Sequence, residues 1–258
     1  MVMQKIWIIF FLSPLFSFSQ DTAPLVPSVT NYSFNWGTSK TQLSIFQYGN
    51  RKDIFFINLH SNETTSVEAA KNLLAKNGGT LLQIWNNTER LISFEKNGHH
   101  VLFDPNRIFT PTGLKKNLKT LTGHYTATEW ATITAFRVFL LSYIPATTKM
   151  VIALHNNEDG GLSVLSYTQK GEFHRDAKST HVNNSLDPDN FFLVTSQQLY
   201  NKLTAMNYNV VLQDNVHAED DGSLSIYLGR KQQNYVNAEA QHGKLAEQQQ
   251  MLHDALFK

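Results

Sequence analysis

Two short, largely apolar runs, each ending at a histidine, constrain this chain more than any other feature. Residues 53–59 read Asp-Ile-Phe-Phe-Ile-Asn-Leu and stop at His60; residues 150–154 read Met-Val-Ile-Ala-Leu and stop at His155. Runs of this length, rich in β-formers and without polar alternation, are strands buried on both faces. Such strands need helices above and below them, and helical patterns follow. Residues 65–76 place Val67, Ala70, Leu73 and Leu74 at helical spacing before the stop at Asn77-Gly78-Gly79. Residues 126–143 form a second helical stretch ending before Pro145, with others at 196–206 and 243–256. Further strands are expected at 43–48, 80–84, 90–94, 99–103, 162–167 and 209–212. Residues 224–228 fit a short strand or helix, and 234–238 lead into Glu239. Residues 21–40, rich in Pro, Thr, Ser and Asn, read as a loop or an edge segment.

Alternating strands and helices give an α/β class, with one sheet covered on both faces. No repeat, low-complexity linker or clear boundary divides the chain, so residues 21–258 are expected to form a single domain. The 41% hydrophobic content of the 258 residues is enough for a sizeable core.

The N-terminus has a different character. Lys5 precedes a nearly continuous apolar run at 6–16, followed by Ser17-Phe18-Ser19-Gln20-Asp21. That order of charged, apolar and small residues is a secretory signal over residues 1–20, with cleavage near Ser19 or Gln20. The apolar run is short for a bilayer span, so the mature form is expected to be exported, periplasmic or secreted, and not membrane-embedded. A formal net charge of +1 argues against nucleic acid as a partner. With no cysteine, thiol nucleophiles and thiolate metal sites are excluded, and any metal must be held by His, Asp and Glu. The sequence contains no Gly-x-Ser-x-Gly elbow, which weighs against a serine hydrolase.

His60 and His155 share a local context, Ile-Asn-Leu-His and Ile-Ala-Leu-His, where a buried strand meets a polar loop. Ligands gather at the carboxyl ends of strands in open α/β sheets. Glu63 follows His60 by three residues, and two histidines with one carboxylate are a usual catalytic zinc set. Asp104-Pro105-Asn106-Arg107 reads either as a turn or as an anion clamp. In the second reading Arg107 offers a forked donor set for a carboxylate, Asn106 adds an amide, and Asp104 can orient a metal-ligating imidazole from behind.

Taken in order, His60-x-x-Glu63, Asp104-x-Asn106-Arg107, His155 and Glu239 in Asn-Ala-Glu-Ala resemble the zinc carboxypeptidase superfamily. The Asn-Arg-Ile-Phe run at 106–109 is similar to its aspartoacylase and succinylglutamate desuccinylase branch, and Asp221-Gly222-Ser223 resembles the family's late region. The resemblance covers roughly residues 53–245. It implies a mixed, twisted sheet sandwiched between helices, with Zn2+ at the strand ends held by His60, Glu63 and His155. It also implies Glu239 as general base and then acid, Asn106 and Arg107 as the holders of a substrate carboxylate, and Asp104 as support for a ligand histidine. The family's oxyanion-stabilising arginine has Arg90 as its candidate, although a strand-edge role fits Arg90 equally and His99 and His100 lie nearer the clamp. Its late tyrosine has two candidates, Tyr227 and Tyr235. The other histidines, His124, His174, His181, His217, His242 and His253, read as surface or packing residues.

The implied function is an exported zinc hydrolase that cuts an amide bond next to a carboxylate. Its substrate would be a peptide C-terminus, a cell-wall peptide included, or an N-acyl amino acid. The alternative is a protein of the same fold that binds such ligands without turnover.

Overall fold

The two apolar runs form neighbouring strands at the centre of a mixed sheet. The computed structural model describes residues 23–37, 39–96 and 98–257; the expected signal segment lies outside them. The strands are β1 (Ser28–Asn35), β2 (Lys40–Tyr48), β3 (Ile54–Asn58), β4 (Gly79–Trp85), β5 (Ile92–Lys96), β6 (His99–Phe103), β7 (Met150–Asn157), β8 (Ala177–His181), β9 (Phe191–Val194), β10 (Asn209–Gln213) and β11 (Tyr235–Gln241). The helices are α1 (Thr64–Asn77), α2 (Pro111–Leu121), α3 (Ala127–Leu141), α4 (Gln197–Ala205), α5 (Leu224–Arg230) and α6 (Leu245–Phe257). Nine strands run β1-β2-β4-β3-β7-β11-β9-β10-β8, and β5 and β6 make a separate hairpin.

The middle of the sheet, β4-β3-β7-β11, is parallel throughout. The carboxyl ends of β3, β7 and β11 therefore lie along one edge. Strand periodicity then sorts the side chains. Phe56, Ile152, Leu154, Val236 and Ala238 join the core under α1, α4 and α6. Phe55, Ile57, Val151, Ala153 and Tyr235 join the core under α2, α3 and the hairpin. Phe55 and Phe56 are fully buried on opposite faces, each contributing about 1.5–3 kcal/mol by leaving water. The same alternation puts His155, Asn237 and Glu239 on the α2–α3 side.

Two expectations, at 162–167 and at 90–94, are revised, and two left open, at 224–228 and at 21–40, are decided. Residues 162–167 do not form a strand; residues Val164–Tyr167 make a 3-10 turn, with the Ser163 N–H donating to Ser166 Oγ at its start. Residues 224–228 belong to helix α5, which Ser223 caps by accepting from the Ile226 N–H. The stretch at 21–40 contains β1, an exposed edge strand antiparallel to β2. The strand expected from residue 90 begins at Ile92, leaving Arg90 in the loop after β4. No helix among the described residues is long and apolar enough to cross a membrane.

An aromatic cluster fixes the hairpin. Trp36 stacks on Phe94 with centroids 4.8 Å apart, Phe136 of α3 meets Trp36 edge-on, and the Trp36 indole N–H donates to Thr41. Locking β5 in this way sets where the preceding loop, with Arg90, returns to the sheet edge.

Candidate metal centre

Three elements bring the strand-end residues together. His60 follows β3, and the chain turns back at once, the Glu63 N–H donating to the His60 carbonyl at 3.1 Å. Glu63 stands immediately before α1, so its side chain lies beside the imidazole that precedes it. His155 arrives on the neighbouring parallel strand β7. His60, Glu63 and His155 are all buried. His60 Nδ1 lies 3.0 Å from Glu63 Oε1, and His155 Nδ1 lies 2.9 Å from Glu63 Oε2. One donor atom from each residue falls within 4.8 Å of the other two.

This donor set fits a divalent metal. Two ligands about 2.1 Å from one tetrahedral ion are about 3.4 Å apart, close to the separations found here. Asp104 Oδ1 sits 2.9 Å from His60 Nε2, the carboxylate–imidazole contact that fixes a ligand's tautomer and ring plane. His155 Nε2 is buried without a hydrogen-bond partner. Leaving such an atom unsatisfied costs about 1–3 kcal/mol, so the ring's placement is set by what its Nδ1 meets.

The electrostatics tell the same story. Burial alone would discharge His60, but Glu63 and Asp104 outweigh it and raise its pKa to about 9. Burial also opposes the charge on Glu63, yet His60 and His155 hold that carboxyl far below its usual range. A charged imidazole thus supplies the positive charge that a bound cation would otherwise bring. Arg90 adds more: its guanidinium donates to Glu63 Oε1 at 2.6 Å and lies 3.9 Å from Asp104 Oδ2, while its side chain remains 46% exposed.

Asp104, Asn106 and Arg107 occupy one 3-10 turn beside this cluster. Asp104 caps it by accepting from the Asn106 N–H, and Asn106 Oδ1 accepts from the Leu224 N–H at 3.0 Å, leaving its amino group as the donor. Arg107 Nε lies 3.5 Å from Asp221 Oδ2. Burial works against the Arg107 charge, and Asp221 and Asp104 more than restore it. Gly222 makes this docking possible. Its φ of +81° and its approach to the Arg107 carbonyl and Gly113 leave no room for a Cβ, which would clash with that carbonyl oxygen.

Glu239 is buried on β11, in register with His155 across the parallel pair, and accepts from Asn237 Nδ2 at 3.0 Å. Burial raises its pKa and the nearby Glu63 adds to that, against the pull of His155 and Arg90.

Comparison with family models finds no match, and comparison with curated proteins finds none either. Among solved structures, the chain is similar to an aspartoacylase family protein from Mesorhizobium loti, with 12% identity and a TM-score of 0.44 over 93% of this chain and 68% of that one. It is also similar to the LapA aminopeptidase of Legionella pneumophila, with 12% identity and a TM-score of 0.35 over 89% of this chain and 52% of that one. A candidate carboxypeptidase A from Shewanella denitrificans gives 10% identity and a TM-score of 0.35 over 82% and 55%. This chain thus spans little more than half the length of the last two. These identities and scores are too low for activity to pass from those proteins to this chain.

The structure gathers the other candidates unevenly. His99 pairs with Glu129 of α3 and His100 with Glu95 across the hairpin, so both are engaged away from the cluster that Arg90 reaches. Tyr227 packs against Phe109, with the Lys231 ammonium over its ring. Tyr235 is buried at the start of β11, where burial and the charge of Glu239 raise its pKa. Tyr167 was missed. Burial and then Glu239 push its pKa up too, and Arg107 acts in the opposite sense, so it lies in the field of both. Its sequence signal was hidden because 162–167 reads as a strand, and a strand assignment gives no reason to bring Tyr167 to the site.

Proposed function

We propose that this protein is an exported, zinc-dependent hydrolase that cleaves an amide bond next to a substrate carboxylate. The substrate class is a peptide C-terminus, including that of a cell-wall peptide, or an N-acyl amino acid. One observation carries the reading: both strand-end imidazoles turn Nδ1 to a single buried carboxylate, with Glu239 in register beside the second of them.

In this reading His60, Glu63 and His155 hold the metal, and Asp104 orients His60. Bound zinc supplies Lewis acidity toward a carbonyl oxygen and lowers the pKa of water. Glu239 takes a proton from the attacking water and returns it to the departing nitrogen, as the water oxygen joins the carbonyl carbon and the C–N bond breaks. Burial holds its pKa above the ordinary carboxylate value, the direction that favours accepting a proton before passing it on. Arg107 and the Asn106 amide hold the substrate carboxylate, and Arg90, half-exposed beside Glu63, offsets charge developing on the carbonyl oxygen. Export rests on the charged, apolar and small-residue order of residues 5–21.

The test offers zinc-loaded protein a mixture of peptides and N-acyl amino acids, as free acids and as amidated analogues. Cleavage of the acids, abolished by chelation, is expected. Arg107→Ala should cost about 2–5 kcal/mol in kcat/KM on the acids and little on the amides. Failure to cleave any acid, in protein shown to carry its zinc, would reject the hydrolase in favour of a binding protein of the same fold.

A further inference from the structure

The loop that carries Arg90 also walls a second cavity, of about 870 Å³, whose lining includes none of the candidate metal residues. Its floor is the outer end of the sheet. Asn31 of β1 is paired with Ser44 of β2, Ser33 with Gln42, and Gln42 in turn with Trp85 of β4, so these side chains share one face. Asn86, Asn87 and Thr88 form the wall.

Trp85 is 43% exposed, an unusual state for an indole, and its position is fixed. The indole N–H donates to Ser44 Oγ at 3.0 Å, and Ser44 donates to Asn31 Oδ1 at 2.7 Å. This relay across three strands leaves the Asn31 amino group as a donor toward the cavity side. Lys71 Nζ lies 5.8 Å from the ring centroid. The wall is held in a strained form, with φ of 48° at Asn87 and 60° at Thr88. A β-branched residue in that region is a genuine outlier, and it persists only where surrounding contacts impose it. Those contacts are present: the Asn86 N–H donates to Ser61 Oγ, Asn86 Nδ2 to the Leu91 carbonyl, and the Glu89 N–H to the Asn86 carbonyl.

The lining contains no carboxylate and one cation, Lys40, at its edge. That composition suits neither a metal ion nor a polyphosphate. It suits an uncharged ligand with many hydroxyls. A flat, half-exposed indole receives the C–H face of a pyranose ring, while side-chain amides both donate to and accept from vicinal hydroxyls. We propose that this cavity is a binding subsite for a neutral saccharide, with Trp85 as the stacking platform and Asn31 and Gln42 as the main polar contacts. The proposal stands independently of the zinc hydrolase reading, since no residue is shared between the two sites.

Titration calorimetry of the full protein with cellotetraose and with chitotetraose tests it. Saturable binding of at least one is expected, unchanged in metal-stripped protein. Trp85→Ala should weaken it by about tenfold or more. Gln42→Ala, an exposed change that leaves the Trp85–Ser44–Asn31 relay intact, should weaken it several-fold at an unaltered melting temperature. Absence of binding by both tetrasaccharides, or equal binding by wild type and both variants, would overturn the proposal.

Discussion

His155 and Glu239 lie opposite one another on adjacent parallel strands, paired in register near the carboxyl ends of β7 and β11. A potential metal ligand and a potential proton carrier are thereby placed by backbone pairing alone, and both are buried. Substitution at Glu239 can therefore change chemistry without moving the strand.

Glu239→Gln should retain the fold and the metal while lowering kcat by about 100- to 10,000-fold. Glutamine keeps an oxygen for the Asn237 amide but cannot take a proton from water. KM should change little, because the proposed holders of the substrate carboxylate are Asn106 and Arg107 rather than Glu239. Steady-state kinetics with metal analysis on the same sample checks this. A normal kcat would remove Glu239 from the mechanism, and loss of metal would make it a ligand.

Asp104→Asn should weaken metal binding by about 10- to 100-fold without unfolding the protein. The Asp104 Oδ1 atom contacts both His60 Nε2 and the Asn106 N–H, and an amide oxygen can accept from both. What is lost is the negative charge behind the ligand. Competition with a chromophoric chelator measures the affinity, and wild-type affinity would show that Asp104 acts only as the cap of its turn.

Much of this site was legible in the sequence, and the reason is topological. Residues 54–57 and 150–154 are apolar without interruption because parallel central strands are covered on both faces, and that pattern announces where His60 and His155 must emerge. What escaped notice was short or polar. Helix α2 carries few apolar residues, although Pro111 at its first turn and Thr110 accepting from the Gly113 N–H are start signals that were present. Strand β9 is a four-residue run, Phe191–Val194, held by neighbours on both sides rather than by its own pattern. Arg90 looked like a strand residue because hydrophobic alternation starts just after it. Only tertiary packing of Trp36 on Phe94 shows that the strand begins two residues later and that the guanidinium is free to reach Glu63.

Acid should loosen the loop that docks against Arg107. Asp220 is partly buried; that burial opposes its charge, but hydrogen bonds from Thr110, Arg230 and the Gly222 N–H overcome it and hold its carboxyl below the ordinary range. The unfolded chain thus binds this proton more tightly than the native one. The stabilisation is complete above the unfolded value of about 3.9 and is lost as the pH falls through the lower folded value. Asp220→Asn should cost about 1.5–3 kcal/mol at neutral pH and less in acid. Thermal unfolding of both proteins from pH 7 to pH 2 checks this, and a difference that does not shrink in acid would contradict it.

His60, Glu63 and His155 are proposed to hold a metal on which amide hydrolysis depends. Metal-stripped protein is titrated with zinc while turnover of an acid substrate is followed. Activity should rise in proportion to added zinc and level off at about one equivalent per chain. Full activity in the stripped protein before any zinc is added would contradict the account.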